Sequence, residues 1–196
     1  LYSELLMEEA LPAPARANVE ALYRQSKKLE FLMDALVKLS RLETGIIQLS
    51  PQRGVLQPLL QSIVAQYAAK AAEKGLALRL RDTEISAVFD AKWTAEALGN
   101  ILDNAIKYTE RGFVTISAES YELFVRINIS DTGPGIPESE QAKIFARFYR
   151  GEAAREQEGV GVGLYLARQI VSGEGGYVKV ASTPGKGSTF SVFLPK

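Results

Sequence analysis

Asn100, Asn104 and Lys107 recur at four- and three-residue steps within a stretch of helical periodicity, so they share one helix face. Two carboxamide oxygens and an ammonium on one face suit a polyphosphate that carries a hard cation. Carboxamide oxygen is a hard ligand for Mg2+, and lysine neutralises phosphate charge. A solvated polar face has the same pattern, but asparagine is a poor helix former, and two of them in mid-helix ask for a reason. A second cluster, Asp131-Thr132-Gly133-Pro134-Gly135-Ile136, directly follows an apolar strand. A carboxylate there accepts hydrogen bonds from an exocyclic amine such as that of adenine, and the glycines let backbone approach a flat ligand. An ordinary turn uses the same residue types.

Gly159-Val160-Gly161-Val162-Gly163-Leu164 opens a helix. Alternate glycines at a helix N-terminus offer unpaired N–H groups and the positive end of the dipole to an anion. The spacing is neither that of a dinucleotide-binding βαβ unit nor that of a P-loop, which needs Gly-Lys-Ser/Thr. Gly185-Lys186-Gly187-Ser188-Thr189-Phe190 reads as a hairpin turn whose hydroxyls touch phosphate if a nucleotide lies nearby. Between these clusters, Phe145-Ala146-Arg147-Phe148-Tyr149-Arg150-Gly151 places aromatics and two arginines in a polar loop. It suggests a lid that aromatics anchor while an arginine reaches a terminal phosphate. A small amphipathic helix packed on the domain has the same composition.

The elements that must hold these clusters follow from periodicity. Residues 16–43 read as a helix, after a break at Pro12-Ala13-Pro14. Val19, Leu22, Ser26, Leu29, Met33, Leu36 and Ser40 form a heptad seam that Leu32, Leu39 and Leu42 widen. This reads as half of a helical hairpin that dimerises into a four-helix bundle, or as a helix packed on its own domain. Thr44-Gly45 ends this helix, and Ser50-Pro51 with Gly54 and Pro58 marks a linker. Helices are expected over 59–74, 91–108 (with Asp90 as N-cap) and 163–171, and strands over 76–80, 87–89, 114–117, 123–130, 177–181 and 189–194. Residues 132–158 form a loop too long for a turn, a length typical of functional lids. The pattern predicts an α+β fold, a two-layer α/β sandwich with helices on one face of a mixed sheet.

Composition narrows the chemistry. Among 196 residues there is no cysteine and no histidine, which excludes disulfides, thiolate metal sites and a histidine phosphoacceptor within this chain. Lys+Arg and Asp+Glu are equal at 23 each, so no basic excess points to nucleic acid. No apolar run approaches the roughly 20 residues of a membrane helix, which suits a cytoplasmic location.

In this order, the clusters resemble the sensor histidine kinases of the GHKL ATPase superfamily over about residues 44–196. Residues 100–108 match the asparagine box, 131–135, 159–163 and 185–189 the glycine boxes, and 145–148 the phenylalanine box. The resemblance implies an ATP site with Mg2+ held by Asn100 and Asn104, and phosphate contacts from Lys107. Tyr108 would pack on the adenine and Asp131 would accept its amine, with Gly133 and Gly135 admitting the base. Arg147 or Arg150 would approach the γ-phosphate. Gly161 and Gly163 would cradle phosphate at the helix start, with Thr189 nearby, and Gly159 belongs to the same nucleotide-binding set. Ile136, Phe145, Phe148, Val162 and Leu164 complete the implied nucleotide-binding set.

It further implies two units, a dimerisation-hairpin remnant over 1–45 and a catalytic ATP-binding domain over 46–196. The phosphoacceptor histidine would lie upstream of residues 1–10, so this chain alone is expected to bind nucleotide without phosphorylating itself. The implied partners are a second copy and the receiver domain of a response regulator, in a parent that is commonly membrane-anchored. Val160 replaces a usual hydroxyl residue, and Glu174 or a neighbour replaces a common histidine. Related serine kinases lack the bundle helix. Gyrase-like and mismatch-repair-like ATPases carry a catalytic glutamate where this chain has Asn100. A degenerate nucleotide-sensing module fits poorly with intact boxes.

Overall fold

In a computed structural model, residues 5, 6, 11–151 and 159–196 are described. Helix α1 spans Ala13–Glu43. It starts earlier than the prolines suggested, because first-turn N–H groups have no intrahelical partner and Pro14 forfeits nothing there. Of residues 1–10, Leu5 and Leu6 are helical and the rest lie outside the described residues. The α1 faces divide the heptad pattern. Ala35 and Leu39 are buried in the main core with Leu32 and Leu42 packed against it, whereas the seam residues Leu22, Leu29 and Met33 are 65%, 57% and 59% exposed. The widening residues Leu32, Leu39 and Leu42 therefore dock on the domain, whereas Leu22, Leu29 and Met33 of the seam face outward and Val19, also of the seam, is buried.

The expected linker contains a strand. β1 (Gln52–Val55) pairs antiparallel with β3 (Ser86–Phe89), Arg53 opposite Val88. Gly54 passes close to the Phe89 ring, where a side chain's Cβ would stand 3.3 Å from Cζ. α2 (Leu56–Glu73) begins immediately afterwards, with Pro58 in its first turn for the same reason as Pro14.

The main sheet has the strand order β2-β4-β5-β7-β6. Its strands are β2 (Ala77–Leu80), β4 (Phe113–Ser120), β5 (Phe124–Asp131), β6 (Tyr177–Thr183) and β7 (Gly187–Pro195). β2 and β4 are parallel and the other pairings antiparallel, so the sheet is mixed. Alternation places Val125, Ile127 and Ile129 of β5, and Phe190, Val192 and Leu194 of β7, on one buried face. Helices α2, α3 (Ala91–Tyr108) and α5 (Gly163–Gly173) belong to the layer over that face. This is the expected two-layer α/β sandwich. α3 illustrates its logic: Asp90 caps it by accepting from the N–H groups of Lys92 and Trp93. Ala97, Leu98, Ile101, Leu102, Ala105 and Ile106 then recur at helical spacing and are buried, each large one contributing about 1.5–3 kcal/mol. The opposite face is left to Glu96, Asn100, Asp103, Asn104 and Lys107. The long loop holds a short helix α4 (Glu138–Gln141) and a 3-10 turn (Lys143–Phe145), while residues 152–158 lie outside the described set.

Candidate functional site

Between α3, the start of α5 and the ends of β5 and β7 lies a cleft of about 1230 Å3, whose open side is walled by α1. Asn100, Asn104, Lys107 and Tyr108 line it from α3, Asp131 from β5, and Pro134, Gly135 and Ile136 from the following turn. Arg150 and residues 159–164 complete the opposite wall.

Asn100 donates Nδ2–H to the carbonyl of Glu96 at 2.9 Å. Its Oδ1 faces the N-terminus of α5, since a Cβ on Gly163 would stand 2.9 Å from that oxygen. Among the described residues α5 has no side-chain cap, so its first-turn N–H groups and positive dipole end are turned toward the cleft. Gly161 holds φ +75° where a Cβ would lie 2.5 Å from the carbonyl oxygen of Tyr149, so only glycine fits this turn. The Lys107 ammonium sits 5.0 Å from the centroid of the Tyr108 ring. It also lies 2.7 Å from where a Gly159 Cβ would be. Burial pushes the Tyr108 hydroxyl upward in pKa, opposed by Arg150.

Asp131 accepts through Oδ1 from the N–H groups of Gly133 at 2.8 Å and Ser188 at 3.2 Å. Burial raises its pKa, and these two N–H groups restrain the rise. Gly133 itself is packed, not lining: its Cβ would meet Asp131 Oδ1 at 2.9 Å and Thr109 Oγ1 at 3.2 Å. Its role is therefore to let the turn fold back on the acid. Gly135 lines the cleft at φ +74°.

Three other candidate residues stand apart. Phe145 is buried against Phe190 in an edge contact at 6.2 Å, outside the cleft lining. Phe148 is exposed at φ +64°. Thr189 bonds Ser130 Oγ at 2.9 Å on the far side of the strand, so its neighbour Ser188, buried, is the one that reaches the cleft. Of the two arginines, Arg150 lines the cleft and Arg147 is engaged elsewhere, with Glu43 and Tyr165.

Sequence reading missed the contribution of α2. Tyr67, Lys70 and Lys74 line the cleft, and their three- and four-residue spacing opposite Leu60, Ile63 and Ala71 was the available signal. Lys70 pairs with Asp103. Lys74 donates to the carbonyls of Ile106 and Lys107 at 2.8 and 2.7 Å, closing the C-terminus of α3 with a cation. Burial, then Asp103 and Glu96, push the Tyr67 hydroxyl up to about 12, so it remains a donor. Among the described residues no group of three or more His, Cys, Asp or Glu is placed to hold a metal ion.

A cleft with an amide-bearing helix on one side, an uncapped glycine-opened helix on the other and a buried acid at its end defines a nucleotide-binding α/β sandwich. Comparison with known proteins agrees. The family described as Histidine kinase-, DNA gyrase B-, and HSP90-like ATPase matches residues 89–196. Sensor protein EvgS of Escherichia coli K12 is 29% identical over 203 residues, covering 99% of this chain and 17% of EvgS. Adaptive-response sensory kinase SasA of Gloeothece citriformis is 36% identical over 185 residues, covering 90% of this chain and 47% of SasA. The crystal structure of full-length ShkA in complex with AMPPNP superposes with a TM-score of 0.82 at 28% identity, over 99% of this chain and 41% of ShkA. The chain belongs to the histidine kinase-, DNA gyrase B- and HSP90-like ATPase family, and within it to the ATP-binding catalytic domains of sensor histidine kinases. It spans less than half the length of these relatives. No helix among the described residues is long and apolar enough to cross a membrane.

Proposed function

We propose that this chain binds ATP with Mg2+ and presents the γ-phosphate to a histidine carried outside these residues, from which the phosphoryl group passes to an aspartate of a response-regulator receiver domain. The observation that carries this reading is the opposition of the Asn100–Asn104–Lys107 face to the uncapped start of α5 across one cleft closed by Asp131. The AMPPNP bound by ShkA, a protein of the same architecture, supports it.

Asp131 Oδ2, which no protein donor reaches among the described residues, accepts the adenine amine. Tyr108 and Ile136 flank the base. The first-turn N–H groups of α5, with Gly161 and Gly163 permitting approach, hold phosphate oxygens. Lys107 and Arg150 neutralise charge toward the γ end. The donor set fits Mg2+: Asn100 spends its amide hydrogen on Glu96, which turns its oxygen to the phosphate side, and Asn104 lies one turn on. Bound there, Mg2+ supplies charge neutralisation between phosphates. Transfer breaks the bond from the γ-phosphorus to the bridging oxygen and forms one to an imidazole nitrogen. The residues contribute positioning and electrostatics without covalent chemistry. Gly133, Phe145, Phe148 and Thr189 support the cleft from outside it.

Residues 1–45 serve as the end of a dimerising helical hairpin whose outward seam of Leu22, Leu29 and Met33 meets a second copy, and 46–196 as the catalytic unit, facing the cytoplasm in the parent. The test is nucleotide selectivity. ATP is expected to displace a fluorescent ATP analogue from the chain while GTP at the same concentration does not; equal displacement would contradict the role of Asp131.

A further inference from the structure

Arg147 does not reach the cleft, yet it is tightly engaged. Its guanidinium pairs with Glu43, the last residue of α1, and stacks 4.9 Å from the centroid of the Tyr165 ring. Tyr165, in the first turn of α5, donates its hydroxyl to the same Glu43 oxygen at 3.1 Å. Glu43 is held firmly from its own side: Thr44 and Gly45 N–H close the helix on Ser40 and Leu42, and Ile47 N–H returns to Arg41.

Each partner of Glu43 is one step from the cleft. Tyr165 follows Gly163 and Leu164, which line it. Arg147 precedes Phe148, a bulky residue in the left-handed region at φ +64°. Such a conformation persists only where the surroundings over-determine it. Two contacts do so here: the Arg147 anchor on one side and, on the other, the Phe148 N–H donated to the carbonyl of Gly161 at 2.8 Å. That bond joins the stem of the loop to the glycine turn that opens α5. A second tie, from Lys38 of α1 to Glu96 of α3 at 2.8 Å, seats the same end of α1 beside Asn100, whose amide bonds the Glu96 carbonyl.

We infer that Glu43 is a positioning residue for the nucleotide cleft: through Arg147 and Tyr165, the end of α1 holds the stem of the 146–148 segment and the first turn of α5 in the arrangement that receives phosphates. The inference rests on the nucleotide reading of the cleft. By linkage, filling the cleft must then favour the docked position of α1 to the same degree that docking favours nucleotide. The order of α1 and the occupancy of the site thus report on each other through three side chains that touch no substrate.

The test is calorimetric titration with AMPPNP and Mg2+ of the whole chain and of Glu43→Gln, Tyr165→Phe and the charge swap Glu43→Arg with Arg147→Glu. Glu43→Gln is expected to weaken binding about fivefold, the effect of losing a partly exposed charge-assisted pair, and the swap to recover most of it. Hydrogen exchange supplies a readout that a merely structural role would not move: nucleotide increases protection along α1 in the wild type and does so less in Glu43→Gln. Unchanged affinity together with unchanged nucleotide-dependent protection in Glu43→Gln overturns the inference alone. Absence of nucleotide binding by the wild type overturns the inference and the reading beneath it.

Discussion

Ser188 donates its backbone N–H to Asp131 Oδ1 at 3.2 Å, on the oxygen that Gly133 N–H already reaches at 2.8 Å. One carboxyl oxygen is thereby committed to holding the ends of β5 and β7 together, and among the described residues the other accepts no protein hydrogen bond, as its proposed role toward the adenine amine requires. Asp131→Asn tests this division. The amide oxygen takes over at Oδ1, because both neighbours there are donors, and the amide NH2 replaces Oδ2. A donor then faces the exocyclic amine of adenine. ATP affinity is expected to fall about 10- to 100-fold by competition binding, with the melting temperature within about 3 °C of wild type. Retained affinity would mean that Oδ2 does not read the base.

Gly135 and Gly185 provide a matched pair. Both hold φ near the left-handed helix value, +74° and +77°. A Cβ on Gly135 would stand 2.2 Å from the Thr183 carbonyl oxygen, whereas one on Gly185 would meet nothing within 4 Å. Gly185→Ala is expected to cost about 1 kcal/mol, the conformational penalty alone. Gly135→Ala should cost roughly 3 kcal/mol or more, because backbone must move. Urea unfolding of the two variants separates them, and equal losses would contradict the close approach.

The sequence made the cleft legible where chemistry and periodicity coincide. Asn100, Asn104 and Lys107 share a helix face that their spacing alone predicts, and Asp90 caps that helix as its type suggests. Thr189 illustrates what spacing cannot supply. The strand's two-residue period puts Ser188 and Thr189 on opposite faces, and only the pairing of Ser188 with Asp131 decides which one meets the cleft. β1 was hidden because a four-residue strand containing glycine carries little periodic signal and depends on β3 for its bonds. The α2 wall was hidden because Tyr67, Lys70 and Lys74 resemble any solvated helix face until α3 is placed beside them.

Glu174 gives the fold a pH dependence. It is buried at the end of α5, where its Oε1 accepts from Thr94 Oγ1 at 2.7 Å and Asp90 N–H at 3.0 Å, while its Oε2 has no partner among the described residues. Burial raises its pKa to about 7, partly restrained by those two bonds, with the nearby Asp90 charge adding a smaller push upward. The folded pKa lies above the ordinary 4.5, so the protonated form favours the native state. This contribution is fully present below pH ~4.5 and is lost as pH rises through about 7, on the order of 3 kcal/mol at most. Chemical unfolding of wild type should therefore show falling stability from about pH 5 to 8, and Glu174→Gln, neutral throughout, should flatten that fall. Parallel profiles would show that Glu174 does not titrate in this window.

The most direct measurement of the central claim is a calorimetric titration of the chain with AMPPNP, with and without Mg2+, repeated on Asn104→Ala. Saturable binding that weakens about tenfold or more when Mg2+ is omitted, and likewise in Asn104→Ala, is the expected result. No heat of binding at about 1 mM nucleotide, or binding indifferent to both Mg2+ and Asn104, would contradict it.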